Sequence, residues 1–227
     1  DHRDLHSFPT RRSSDLKAFC LSGYGKVFYK RKKTFSLIDE QEKRKDRALT
    51  EEQQQALSVI SKAIDQEAFK GILLKGVTGS GKTAVYLRAA ERALERGGSA
   101  LILVPEIALT SQMTSYFASL LGDKVVFIHS GLSKGERYNN RQRIANGEST
   151  IIIGSRSAIF MPFRDLKLIV VDEEYDSSYK QGETPRYNGR DAAKRRGEIY
   201  QCPIVLGAAT PSIATYHAAK TGKIELV

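Results

Sequence analysis

The chain has 227 residues, 41% of them hydrophobic, which is enough for one well-buried core and too apolar for a disordered tract. A formal net charge of +10 favours a polyanionic partner, nucleic acid ahead of an anionic membrane surface. No run of about 18 apolar residues supports a membrane span and no secretory pattern opens the sequence. The two cysteines, Cys20 and Cys202, form no CxxC pair, which argues against a zinc site or disulfide framework and suits a reducing cytoplasm.

Residues 1–16 show neither helical nor strand periodicity. Their text HSFPTRRSSDL is similar to a sequencing-library adapter translated in frame, so the segment is set aside from fold reasoning as a tag would be. Residues 17–47 hold ten Lys or Arg against four Asp or Glu. Within them GYGKVFYKRKK mixes aromatics with bases and reads either as a basic hairpin that touches phosphates or as a solvated linker.

Thr50 with Gln53 three positions later is a capping-box pattern, and Ala56, Leu57, Ile60, Ala63 and Ile64 follow at helical spacing. Residues 71–75 (GILLK) read as a buried strand. Strands are then expected at 100–104, 124–129, 150–154, 168–172 and 203–207. Helices are expected at 82–96, 107–121, 133–146 and 190–200, with a last one starting near Pro211. Strands such as LILV, TIIIG and LIVVD are apolar throughout, the pattern of a doubly wound, mostly parallel α/β sheet covered on both faces.

Between the first strand and the helix after it stands GVTGSGKT, a full match to the phosphate-loop pattern in the context that pattern needs. Gly76, Thr78, Gly79, Ser80 and Gly81 are expected to turn backbone N–H groups around phosphates. Lys82 is expected to reach the β- and γ-phosphates of ATP, and the Thr83 hydroxyl to ligate Mg2+. Some 90 residues on, LIVVDEEY delivers carboxylates at a strand end, where doubly wound sheets bind ligands. Asp172 is the candidate Mg2+ partner, and Glu173 the candidate for orienting or activating a water.

Together these motifs resemble the superfamily 2 helicases and, within them, the primosomal replication-restart helicases of the PriA family, over residues 49–215. LTEEQ is similar to the family's adenine-reading segment, with Gln53 its glutamine. LVPEIALT resembles a DNA-contacting motif. HSGLSKGERY and GSRSAIFMPF, which includes Arg156, are similar to stretches of this family. DEEYDSSYKQ with PRYNGRD resembles the acidic motif and its aromatic-rich loop, and GAATPS, with Thr210, the motif coupling nucleotide state to DNA. In that loop Tyr179 and Tyr187 would offer stacking faces to single-stranded DNA, and Lys180, Arg186 and Arg190 phosphate contacts.

The resemblance implies a RecA-like P-loop NTPase lobe at 49–227, preceded at 17–48 by a basic linker or the tail of a winged helix. It implies a 3′–5′ DNA helicase that restarts replication at stalled forks and D-loops. Branched and single-stranded DNA, primosome proteins and single-strand-binding protein would be its partners, and a bacterial, nucleoid-associated cytoplasm its place. The family's zinc is expected only in a C-terminal part that, with the second motor lobe, has no counterpart up to Val227. The isolated chain is therefore expected to bind ATP and hydrolyse it poorly, since arginines of the second lobe stabilise the transferred charge. The sequence departs from the family at Tyr175, where histidine is usual, at Gly189 (alanine) and at Ala208 (serine). Tyrosine lacks a pKa near 7, so a weaker link between ATP and DNA is expected at Tyr175. The alternatives are a different superfamily 2 motor and a non-catalytic module that binds DNA and partners.

Overall fold

The computed structural model describes residues 48–227, which lie within one compact unit, Lys45–Val227. The adapter-like segment, the basic stretch and Cys20 fall outside the described residues.

The first helix, α1 (Glu51–Asp65), starts as its sequence dictates. The Thr50 hydroxyl accepts from Gln53 N–H at 3.3 Å, and Gln53 Oε1 accepts from Thr50 N–H at 3.0 Å, so two orphan amides are satisfied reciprocally. The following elements alternate: β1 (Gly71–Lys75), α2 (Lys82–Glu95), β2 (Ser99–Leu103), α3 (Ser111–Leu121), β3 (Val125–Ile128), α4 (Lys134–Asn146), β4 (Ile151–Gly154), β5 (Leu166–Val171), α5 (Gly189–Tyr200), β6 (Ile204–Ala208), α6 (Ile213–Lys220) and β7 (Glu225–Leu226).

The strands make one sheet in the order β3-β4-β2-β5-β6-β1-β7, and every pairing is parallel. The fold is therefore the expected α/β lobe. Parallel strands need both faces covered. One face packs Ile60, Ile72, Val85, Ala89, Ile102 and Val170 under α1 and α2; the other packs Leu101, Ile152, Ile169, Ala193 and Ile204 under α5 and the 156–163 segment. Central β2 is buried at every position, which is why it is apolar rather than alternating. Each such Leu or Ile contributes about 1.5–3 kcal/mol on burial.

Two elements differ from expectation. The helix expected at 107–121 is divided. A 3-10 turn, Glu106–Ala108, precedes Thr110, whose extended backbone and hydroxyl, accepting from Met113 N–H at 3.2 Å, start α3 afresh. Strand β5 begins at Leu166, two residues early, because Ser99 pairs with Leu166 across a register shift. Since all strands run one way, the loops after β1, β2, β4, β5 and β6 gather along one edge of the sheet, the edge where such folds hold ligands.

Candidate nucleotide site and the loop beside it

The phosphate loop leaves β1 with Gly76 N–H donating to Ala208 O on β6, at 3.1 Å. Gly79 (φ +81°) and Gly81 (φ +80°) take the left-handed backbone that glycine adopts without cost. At Gly81 the need is double, since a Cβ there would lie 2.5 Å from Gln53 Nε2. That amide donates to Ser80 O at 2.7 Å and so ties the start of α1 to the loop. Helix α2 opens on Lys82 with glycine as its cap and no acidic residue in its first turn, leaving a helix start of positive potential for an outside anion. Lys82 Nζ donates to Gly76 O at 2.7 Å and to Val77 O at 3.2 Å, so its charge sits over the loop. Ser80 and Thr83 are half-buried and Thr78 is exposed. A cleft of about 510 Å3 adjoins the loop, with Gln53, Val59, Leu74, Ser80, Lys82 and Val85 among its lining residues. Its walls mix Val59, Leu74 and Val85 with Glu52, Lys75 and Glu225, and together with a side-chain amide and a glycine cradle they suit a nucleoside triphosphate. Gln53 keeps one lone pair and one N–H beyond its internal bonds for reading a base edge.

Asp172 follows the last residue of β5. Its N–H donates to Leu103 O at 2.9 Å, and its Oδ1 accepts the Tyr86 hydroxyl of α2 at 2.9 Å. Burial, then the Asp172 charge, pushes the Tyr86 phenol far above its ordinary pKa, so it remains a donor. Gly207 of β6 makes room for this pair: a Cβ there would lie 1.8 Å from the Tyr86 hydroxyl. Glu173 is half-buried and stands at φ +46°, a left-handed conformation unusual for a residue with a Cβ. Glu174 is buried, and its carboxylate accepts from Ser212 N–H (2.6 Å), Arg190 Nη1 (2.9 Å), Thr215 Oγ1 (3.0 Å) and Ser212 Oγ (3.2 Å).

A model of the DEAD/DEAH box helicase family matches residues 50–218, which take in the loop, the acidic strand end and the start of α6. The chain belongs to the DEAD/DEAH box helicases. The PriA-type resemblance seen in the sequence is borne out. Replication restart protein PriA of Bacillus subtilis is 47% identical over 179 residues, 79% of this chain and 22% of that protein. Its counterpart in Synechocystis is 48% identical over 170 residues, 74% of this chain and 20% of that protein. The chain thus spans about a fifth of the length of these relatives. Among solved structures, RecG bound to a three-way DNA junction aligns with a TM-score of 0.58 at 20% identity, over 84% of this chain and 25% of its own. A hypothetical ATP-dependent RNA helicase from Sulfolobus tokodaii aligns at 0.52 and 19% identity, over 83% and 55%. At such identities these two speak for the RecA-like fold alone.

Within this helicase lobe the aromatic-rich loop differs from expectation. Tyr179 is 1% exposed, and its hydroxyl donates to Asp172 O at 2.6 Å. Its ring is part of the core, so the stacking face expected of it is withdrawn. Arg190 is 27% exposed and paired with Glu174, so its guanidinium is an internal anchor rather than an open phosphate contact. Arg156 likewise braces the loop, donating from Nη1 to Ser178 O and Lys180 O, both at 2.8 Å. Gln181 N–H donates to Tyr187 O, and Lys180 bridges Asn188, so the exposed tip at 182–186 stands on a narrow two-stranded stem. Lys180 and Arg186 remain exposed, the latter donating from Nε to Gly182 O. Tyr187 is half-buried and meets Phe160 edge-on, with ring centroids 4.9 Å apart. Phe160, 59% exposed, was not among the expected residues; its place in GSRSAIFMPF was the only signal. Tyr175 is 46% exposed, and Thr210 is exposed on the turn between β6 and α6. A Cβ on Gly189 would lie 3.1 Å from Arg156 Cβ, a close approach between α5 and the 156–163 segment. Ala208, where serine is usual, is fully buried beside the phosphate loop.

Sequence reasoning also missed Tyr86 and Glu174. No local pattern marks Tyr86, and nothing within DEE separates the role of Glu174 from that of its neighbours; both act through partners 86 and 38 positions away. Among the described residues no group of His, Cys, Asp and Glu forms a metal cluster, and no helix is long and apolar enough to cross a membrane. The one described thiol, Cys202, is buried, which pushes it up to about 12.

Proposed function

We propose that this chain is the ATP-binding motor lobe of a PriA-type 3′–5′ DNA helicase that acts on branched DNA to restart replication. The observation that carries this reading is the joint between two strand ends: the glycine cradle with Lys82 after β1, and Asp172 and Glu173 after β5, linked by Tyr86. In this reading the N–H groups of 79–83 bind the phosphates of ATP, and Lys82 leaves the Gly76 and Val77 carbonyls to neutralise them. Thr83 and Asp172 hold Mg2+, which when bound neutralises charge developing between the phosphates. Glu173 accepts a proton from, and orients, the attacking water. Gln53 reads the adenine edge. The exposed tip of the 176–190 loop, with Lys180, Arg186 and the Tyr187–Phe160 pair, meets single-stranded DNA, while Arg156, Tyr175, Tyr179, Arg190 and Thr210 relay its position. Primosome proteins and single-strand-binding protein are partners of the whole protein, in a bacterial cytoplasm.

The test is a titration of the chain with a fluorescent ATP analogue and Mg2+. The chain should saturate. Lys82→Ala removes a charge-assisted contact worth ~1.5–3 kcal/mol, and its affinity should fall at least about tenfold with melting unchanged. Equal affinity in the variant would remove the phosphate-loop assignment.

A further inference from the structure

Among the described residues Glu174 is the one charged side chain that is fully buried. A carboxylate out of water is costly unless donors replace the water. Burial alone would push its pKa up. The Ser212 N–H, the Arg190 guanidinium and the Thr215 and Ser212 hydroxyls outweigh that effect and hold it below the usual glutamate value. With the Arg190 guanidinium at 2.9 Å, Glu174 is the buried half of an ion pair.

The donors come from two places. Three belong to the start of α6, two of them to Ser212, the last residue of GAATPS and the helix cap; the fourth, Arg190, belongs to α5 where the 176–190 loop ends. The loop's other end is also anchored, through the Tyr179 hydroxyl on Asp172 O. Glu173 lies between the two anchors in its left-handed turn, and Glu174 N–H fixes that turn to Gly207 O of β6 at 3.0 Å. The residue at the family's usual histidine position, Tyr175, is by contrast at the surface, 46% exposed. The end of the loop is thus tied, through Arg190, to the same carboxylate that holds α6.

We infer that Glu174 is a positioning residue that joins the 176–190 loop to the start of α6 and to Glu173, and so carries the coupling between DNA and nucleotide. This rests on the helicase-lobe reading above. Neutral hydroxyl and amide donors tolerate an uncharged acceptor, whereas Arg190 needs the charge. Glu174→Gln keeps the shape: its amide oxygen still accepts Ser212 N–H, while its nitrogen, in the place of Oε2, turns a donor toward Arg190, which cannot accept, and toward two hydroxyls, which can rotate to do so.

The experiment measures affinity of the 227-residue chain for a fluorescent ATP analogue with Mg2+, with and without saturating single-stranded DNA. A coupling between sites appears as a ratio of the two affinities. In the natural chain that ratio should be about fivefold or more. In Glu174→Gln each ligand alone should bind within about twofold of the natural chain, a split that simple unfolding does not produce, and the ratio should fall to near one. Thr215→Val, which withdraws one hydroxyl donor and leaves the ion pair, should give an intermediate ratio, and carries the test if Glu174→Gln melts too low to study. A natural ratio preserved in both variants, or a natural chain that binds both ligands independently, overturns the inference. A natural chain that binds neither ligand overturns the helicase-lobe reading instead, and the inference falls with it.

Discussion

The phosphate loop and the loop at 176–190 lie along the same edge of the sheet, yet they are built on opposite plans. The first works through its backbone. Two left-handed glycines and a helix start set its shape over eight consecutive residues, with Gln53 and the Ala208 carbonyl as ties from far away in sequence. The second works through side-chain anchors. Tyr179 holds Asp172, Arg190 holds Glu174, and Arg156 holds two carbonyls of the loop, each across 7 to 24 positions. A backbone device keeps its geometry when single side chains change; an anchored device takes its geometry from them. The lobe thus pairs a ligand cradle shaped by its backbone with a loop held by side chains.

The largest effect should come from the anchor that is most buried. Removing one partner of a buried, hydrogen-bonded ion pair costs about 3–5 kcal/mol, so Glu174→Ala should lose that much in urea unfolding; a loss below about 1 kcal/mol would mean the network bears no strain. The same carboxylate has a depressed pKa in the fold. Its contribution is therefore present above the unfolded value of roughly 4.3 and is lost as pH falls through the lower folded value. Unfolding measured down the acid range should show this loss in the natural chain and not in Glu174→Gln.

Next comes the loop tip, which is open rather than anchored. Arg186→Ala with Tyr187→Ala should weaken single-strand binding about tenfold, ~1.4 kcal/mol, and flatten its salt dependence. Unchanged affinity and salt slope would show that the tip is ordinary surface and that Phe160 and Tyr187 merely pack. The smallest effect belongs to Tyr86→Phe, which removes one hydrogen bond to Asp172 and should cost about 1 kcal/mol in stability. A cost of several kcal/mol would move the cradle from the backbone class to the anchored one.

The same contrast explains what could be read from the sequence. The cradle, the capping box at Thr50, and the apolar strands were legible because each is a local pattern. The five strands expected after β1 all exist, with ends shifted by one or two residues. Strand β7 was missed because two residues, Glu225 and Leu226, show no periodicity; it exists by pairing with Ile72 and Leu73. The loop's residue types were legible as well, but not their directions. Tyr179 and Tyr187 are equal as text, and tertiary packing alone sends one into the core and leaves the other at the surface. Glu174 was overlooked for the same reason: in DEE the first two carboxylates carried the expected chemistry, and nothing local distinguishes a buried third.

If the backbone after β1 is a phosphate cradle facing the β5 carboxylates, bound nucleotide must shield that backbone from solvent. Hydrogen–deuterium exchange of the chain, with and without a non-hydrolysable ATP analogue and Mg2+, addresses it directly. Bound phosphates would occupy the N–H groups themselves, so exchange across residues 79–84 should slow, with a smaller slowing at 172–174 where Asp172 closes the site. Saturating analogue that leaves 79–84 exchanging at the same rate, or that protects only a distant surface, would contradict it.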